Sequence, residues 1–346
     1  MAAAQTSGSH RFLLAMAAAV ALAWIAPDPG ARGGVLHAHE LNKVAVALIF
    51  FLHGLSLSFQ ALRHGVMRWP VHLVVQLACF GLFPLFGLLF MAIGHERLPA
   101  DLNTGMFYLC ALPSTLSSSV ALTAAARGNV AVALFNATLS SLLGVLVTPL
   151  WLHAALGAVG RALPIGPVMW QLTQWLLLPL ALGQLARGAL AAWAARHRRL
   201  VGFLDRGTII LLVYTSFCDS VKAGVWTSAS GKEHGTFAQS SAPVLLTALA
   251  CLLLLVVMLA TLSGISRALR LPRGDGIAAI FCGSKKTLAS GVPMAQLMFG
   301  SHPGLGMILM PLMIYHPLQL ALCGLLAGRW AQQHAQPDGT NSAARD

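Results

Sequence analysis

The chain has 346 residues, 57% of them hydrophobic and 9% charged, with a mean hydropathy of +0.74. A soluble globular domain carries about 25% charged residues, so the composition excludes an ordinary soluble fold and points to a polytopic membrane protein. The net charge of +12 sits mainly in short loops between apolar runs, which assigns it to membrane orientation and lipid head groups rather than to nucleic acid.

Ten apolar segments follow one another. Arg11 precedes the first, Phe12 to Ala26, which has the look of a signal peptide but is kept as segment 1 because the charge alternation works with it in place. Asn42 to Gln60 is segment 2 and contains FFLHGLSLS. Trp69 to Ile93 is segment 3, with Gln76 and Pro84 inside. Asn103 to Ala126 is segment 4, where Pro113 precedes a run of hydroxyl residues. Segments 5 to 8 are Asn129 to Leu156, Pro167 to Leu190, Gly207 to about Val225, and Pro243 to Leu269. Asp275 to Phe299 is segment 9 and Pro303 to Trp330 is segment 10. The polar stretch 333–346 reads as a disordered cytoplasmic tail.

Charge tests this division. With the N-terminus inside, the inner segments hold 14 of the 22 lysines and arginines, the outer segments hold 6, and the last 2 lie within segment 9. That bias supports ten crossings of the cell (inner) membrane with both termini in the cytoplasm. Ten crossings divide into five-helix halves, 1–166 and 167–332, that start on opposite faces and so form an inverted repeat. Ser117 and Thr287, in matching segments, are 170 positions apart. No residue-level identity between the halves supports the repeat at this stage.

The chemistry concentrates in segment 9, in FCGSKKTLASGVPMAQ, Phe281 to Gln296. Lys285 and Lys286 stand at membrane depth, where each costs roughly 2.5–3.5 kcal/mol even on a lenient insertion scale. Gly283, Gly291 and Pro293 beside them predict a broken helix whose freed backbone faces a cavity or protein. Segment 4 offers Ser114, Thr115, Ser117, Ser118 and Ser119 after Pro113, suited to a small cation or a polar head group, although serines also serve close helix packing. Asn136 and Ser140 share a face of segment 5, and Gln76 adds a second intramembrane amide. Interhelical hydrogen bonding explains these amides equally well. His53 and His316 read as packed histidines, and Asp219 as an interhelical or vestibule partner. Six cysteines lie in apolar runs with no metal-ligand spacing and read as small buried hydrophobes. There is no HExxH, no GxSxG and no pair of intramembrane carboxylates, which argues against an enzyme.

LPSTLSSSVALTAAARGNVAVALFNA, FCGSKKTLASGVPMA and FFLHGLSLS together resemble the bile acid:sodium symporter (SBF-like) family, in its bacterial branch. The resemblance spans segments 2 to 10. It implies an all-α membrane protein of ten helices in two inverted repeats, with a panel domain from segments 1, 2, 6 and 7. Segments 4 and 9 are interrupted and cross in a core domain, with substrate and ions near the crossing. Well-studied members carry a glutamate, a glutamine and an asparagine where this chain has Phe281, Lys285 and Lys286. They carry a serine–asparagine pair near Ser118-Ser119. Gln76 matches a glutamine that contacts the second ion. The anionic sodium ligand is therefore replaced by cations. A lysine there repels Na⁺ at contact distance; it either stands in for the ion's charge or loads and releases a proton.

The sequence thus predicts a secondary active transporter of a small organic anion, working in the lipid bilayer without nucleic acid or a cofactor, with Na⁺ or H⁺ as coupling ion and uncoupled, facilitated movement as a further option. Sodium is what the family implies and what the lysines put in question. The expected substrate and ion site is Gln76, Ser117, Ser118, Ser119, Asn136, Ser140, Ser284, Lys285, Lys286 and Thr287, with Lys285 the lysine facing the crossing. A non-transporting membrane regulator of the same fold is the alternative. Substrate identity and oligomeric state are not encoded in these residues.

Overall fold

The computed structural model describes residues 2–56, 68–95, 97–160, 163–223, 241–300 and 302–333. The end of segment 2 (57–60), Lys232 and the tail beyond 333 lie outside them. Among the described residues every regular element is helical. They are α1 (Ala2–Ile25), α2 (Ala38–Ser56), α3 (Trp69–Gly94), α4 (Ala100–Ala111), α5 (Leu116–Ala125), α6 (Val130–Ala158), α7 (Ile165–Leu185), α8 (Arg187–Arg196), α9 (Arg198–Lys222), α10 (Ser241–Ala268), α11 (Arg273–Ser284), α12 (Leu288–Phe299) and α13 (Leu305–Gln333).

Six helices, α3, α6, α7, α9, α10 and α13, are long and apolar enough to cross a bilayer, and the pair α4–α5, bent by 57°, makes a seventh. Length and hydropathy alone therefore do not return ten crossings. The apolar part of α1 is short, Leu14–Ile25. Helix α2 opens with Glu40 and Lys43, and its apolar run continues past Ser56. The pair α11–α12 carries Arg273, Asp275, Lys285 and Lys286. Segment 6 also proves shorter than expected, since α7 stops at Leu185 and the arginine-bearing α8 turns off separately.

The helices pack in two groups. In one, α2 runs along α7, α1 runs along α9, and α9 also touches α2. This is the set that the resemblance implies for segments 1, 2, 6 and 7. Gly54 and Gly183 let α2 and α7 approach closely: a Cβ on either would collide with a backbone carbonyl of the other helix, Leu180 O or Phe51 O. The second group holds α3 to α6 and α10 to α13, with α4 against both α3 and α13, and α11 between α10, α3, α5 and α6. The groups meet where α9 packs on α12 and α13 and where α6 packs on α7.

Two prolines loosen long helices rather than ending them. In α3 a π-turn covers Ala78–Leu82 just before Pro84, and in α7 another covers Thr173–Leu177 before Pro179. A proline lacks the N–H that the preceding turn would use, and the wider turn absorbs the mismatch. The first of these turns shapes the candidate site.

Candidate functional site at two broken helices

The interruption in α4–α5 has a covalent cause. A residue before proline is pushed out of the α region, and Leu112, before Pro113, is extended at φ −69°, ψ 154°. The chain re-enters a helix after Thr115, at φ −82°, ψ 128°. The interruption in α11–α12 falls at 285–287 and has no proline. Lys285 is extended at φ −108°, ψ 145°, and Thr287 resumes the helix at φ −82°, ψ 124°. Pro293, expected to mark this break, lies inside α12 instead.

The two interrupted helices are matched in detail. Each first half has 12 residues and starts after a proline of the same backbone geometry, Pro99 (−50°, 140°) and Pro272 (−50°, 139°). Each second half opens alike in sequence: Thr115-Leu116, Ser118 and Val120 answer Thr287-Leu288, Ser290 and Val292. The identity between the halves was hidden by comparing at a separation of 170; these residues are 172 apart, and the first break is one residue longer.

Many of the backbone groups freed at the two breaks find side-chain or cross-break partners, as buried polar groups require. Around the first, Ala111 O accepts from Thr148 Oγ1 at 2.8 Å, Ser114 N–H donates to Ser140 Oγ at 2.9 Å, and Pro113 O accepts from Thr287 N–H at 3.1 Å. Around the second, Cys282 O accepts from Ser114 Oγ at 2.6 Å, Phe281 O from Ser119 Oγ at 3.3 Å, and Ser284 O from Tyr315 Oη at 2.7 Å. Lys286 O accepts from Thr115 Oγ1 at 2.8 Å. Gln319 bonds Lys286 twice, taking its N–H at 2.8 Å and donating to its carbonyl at 2.9 Å. The breaks are thus knitted to each other and to α13.

One freed carbonyl set is answered by a charge. Lys286 Nζ donates to Cys79 O at 3.0 Å, Cys110 O at 2.9 Å and Leu112 O at 2.6 Å, and lies 4.0 Å from the centre of the Phe83 ring. The availability of Cys79 O follows from the π-turn: the Phe83 N–H goes to Ala78 O, and Pro84 has none to give. Cys110 O is available because Ser114, its helical donor, is turned to Ser140. The side-chain nitrogen of a fully buried lysine is thus enclosed by three carbonyls and a ring face, the kind of surroundings that suit a positive charge.

Lys285 is also fully buried, so the structure brings both lysines into the junction. Its ammonium donates to Ser118 Oγ at 2.6 Å, the one acceptor that meets it among the described residues. Ser119, Asn136, Ser140, Ser284 and Thr287 are buried in the same region, and Ser117 is exposed. Gln76 Nε2 donates to Asn136 at 3.3–3.4 Å, while Gln76 Oε1 is buried with no hydrogen-bond partner among the described residues. Thr287 caps α12 through Ser290. Asp219 pairs with Arg32 of the turn between α1 and α2, where both line a surface cavity, and His316 packs beside Gln319. Sequence reasoning missed Gln319 and Tyr315. The available signal was a glutamine within an apolar run, one turn after His316 and Tyr315 on the same helix face.

Paired broken helices around buried charge place the molecule among multi-pass membrane proteins of the transporter class. The model of the SBF-like CPA transporter family matches residues 10–332, and the chain belongs to that family. A Pseudomonas aeruginosa relative is 37% identical, with 93% of each chain covered. A protein of Escherichia coli K12 named "Putative symporter YfeH" is 36% identical over 97% of each chain. The Xenopus laevis protein named sodium/bile acid cotransporter 7-A is 31% identical, covering 91% of this chain and 90% of its own. Membership of a transporter family sets the protein apart from enzymes.

Proposed function

We propose that the chain is a secondary transporter of a small organic anion, with the lysine side chain of Lys286 standing where a coupling cation would otherwise be held. One observation carries this reading: the Lys286 ammonium fills a cage of three backbone carbonyls freed by a π-turn and a helix break. Carbonyl oxygens in that arrangement suit a small monovalent cation, and two cations in contact repel strongly in a low-dielectric interior. On this reading a tethered lysine takes the place of a coupling sodium ion at this position.

The companion lysine has the opposite character. Lys285 meets one hydroxyl, that of half-buried Ser118, and an ammonium has three donors. It is the group that an anionic substrate engages, with Ser118, Ser119 and Thr287 around it. The remaining expected residues, Gln76, Asn136, Ser140 and Ser284, hold the helices that form the site. Substrate approaches between the two packing groups, where a cavity of about 700 Å³ joins α2, α7 and α12. Arg32, Lys43, Glu40, Gln171 and Gln296 give it polar and charged points, Lys43 pairing with Glu40 and Arg32 with Asp219, and Val46, Leu163 and Phe299 give it apolar wall, a mixture that suits an amphipathic solute.

Ten crossings in two inverted repeats, 1–166 and 167–332, with both termini cytoplasmic in the cell membrane, complete the reading. The group containing α4–α5 and α11–α12 moves against the group containing α2 and α7, and exposes the junction to each side in turn. The test is uptake of labelled organic anions into proteoliposomes under a sodium gradient, a proton gradient or neither. Uptake by the native protein is expected to be indifferent to sodium and to be abolished in Lys285→Ala. Sodium-driven uptake by the native protein would overturn the tethered-cation reading.

A further inference from the structure

The end of α10, the start of α11 and the end of α13 come together at one membrane face and enclose a second cavity of about 700 Å³. Arg267, Arg270 and Arg273 all line it, each exposed, and among the described residues no carboxylate pairs with any of them. Its floor is polar: Ser266 Oγ is buried, on a residue only 7% exposed, with no hydrogen-bond partner among the described residues. Its sides are Ile277, Ile280 and Trp330.

Arg270 is held where an arginine is unfavourable. It closes α10 in the left-handed region at φ 49°, with its N–H on Arg267 O and the next N–H on Ser266 O. Glycine is the usual residue at such a helix end, because a side chain there costs energy. Arginine at that place turns a third guanidinium toward the cavity mouth already flanked by Arg267 and Arg273.

We infer that the seam between α10, α11 and α13 is a binding site for the phosphate head group of an anionic membrane lipid. Arg267 and Arg270 supply bidentate donors to phosphate oxygens, Arg273 adds a third guanidinium whose Nη2 also reaches Trp330 O and Gln333 Oε1 at 3.4–3.5 Å, the Ser266 hydroxyl supplies a buried donor, and the isoleucines lead acyl chains back along the helices. Trp330 lies where an indole favours the membrane–water boundary. A basic cavity between transmembrane helices is the form such lipid sites take. The corresponding seam of the first half, between the ends of α3 and α6 and the start of α4, encloses about 930 Å³ but contributes a single arginine, Arg97, and His95. It is the internal control.

Purified full-length protein in uncharged detergent is titrated with phosphatidylglycerol, with phosphatidylcholine and with inorganic phosphate, and bound lipid is counted by native mass spectrometry. Phosphatidylglycerol is expected to bind at least about tenfold more tightly than phosphatidylcholine. Each of Arg267→Gln, Arg270→Gln and Arg273→Gln should weaken it about fivefold, and Arg97→Gln should leave it unchanged. The single variants keep the test open should the triple variant not fold. Equal retention of the two lipids, or single variants that bind as the native protein does, would overturn the site. Displacement of the lipid by inorganic phosphate at equal concentration would overturn the lipid in favour of a free oxyanion.

Discussion

Leu112 and Lys285 hold the same extended backbone at the heart of two matched helices, but only Leu112 has a proline behind it to keep it there. The first break is written into covalent geometry. The second is held by side chains from elsewhere: Gln319 and Tyr315 from α13, Thr115 from the opposite break, and the carbonyls that receive Lys286. A locally imposed break survives the loss of any one neighbour, whereas a break imposed by tertiary contacts depends on each of them. The candidate site lysines therefore sit on the half of the pair with the least local support.

The comparison fails most visibly if the tertiary side can be cut without loss. Lys286→Ala removes the donor from three buried carbonyls, each worth about 1–3 kcal/mol when left unpaired, partly offset because an ammonium need no longer be held away from water. A net loss of about 3 kcal/mol in reversible unfolding from micelles is expected. The emptied cage should then take a metal cation: sodium should raise the melting temperature of Lys286→Ala and leave the native protein unaffected. A variant as indifferent to sodium as its parent would count against the cage as a cation site.

Gln319→Leu is the next cut. It orphans the Lys286 N–H and removes one of two donors to the Lys286 carbonyl, a loss of about 2 kcal/mol, read in the same unfolding measurement. Tyr315→Phe deletes one hydroxyl from Ser284 O and should cost about 1 kcal/mol. The order matters more than the values. Were Tyr315→Phe the costlier of the two, the support of the second break would lie at its α11 end rather than at Lys286.

The asymmetry also explains what could be read from the chain beforehand. The first interruption was legible because Pro113 acts on its own neighbour. Lys285 and Lys286 were legible because charge at membrane depth is rare. The second break was expected beside the lysines and falls there, at 285–287, but its cause was not legible, since the glycines and Pro293 that suggested it are absorbed into α11 and α12. Its cause lies in Gln319, which is 33 residues away from Lys286 along the chain. The expectation that a single lysine, Lys285, faces the crossing drew on the helical spacing, in which neighbours point about 100° apart. Extended backbone at Lys285 removes that constraint, and both ammonium groups enter the junction. The repeat stayed hidden for a geometric reason too: the first break is one residue longer, so no single offset aligns both halves of each helix.

Pro113→Ala should have the smallest effect, and its sign tests the local side of the comparison. Removing proline frees the unfolded chain and costs about 0.4–1 kcal/mol on that account alone. It also gives residue 113 an N–H, whose helical acceptor would be Leu109 O, already approached by the Leu112 N–H at 3.4 Å. Helix α4 cannot simply run on, because Ala111 O is taken by Thr148, Cys110 O by Lys286 and the Ser114 N–H by Ser140. The break is thus expected to persist in Pro113→Ala, held now as the second one is. That substitution should make the first break depend on Lys286. A double-mutant cycle between Pro113→Ala and Lys286→Ala should therefore show a coupling above about 0.5 kcal/mol, beyond what independent sites give. Simple additivity would mean that the proline and the lysine hold their breaks separately, and that the junction is two structures side by side rather than one.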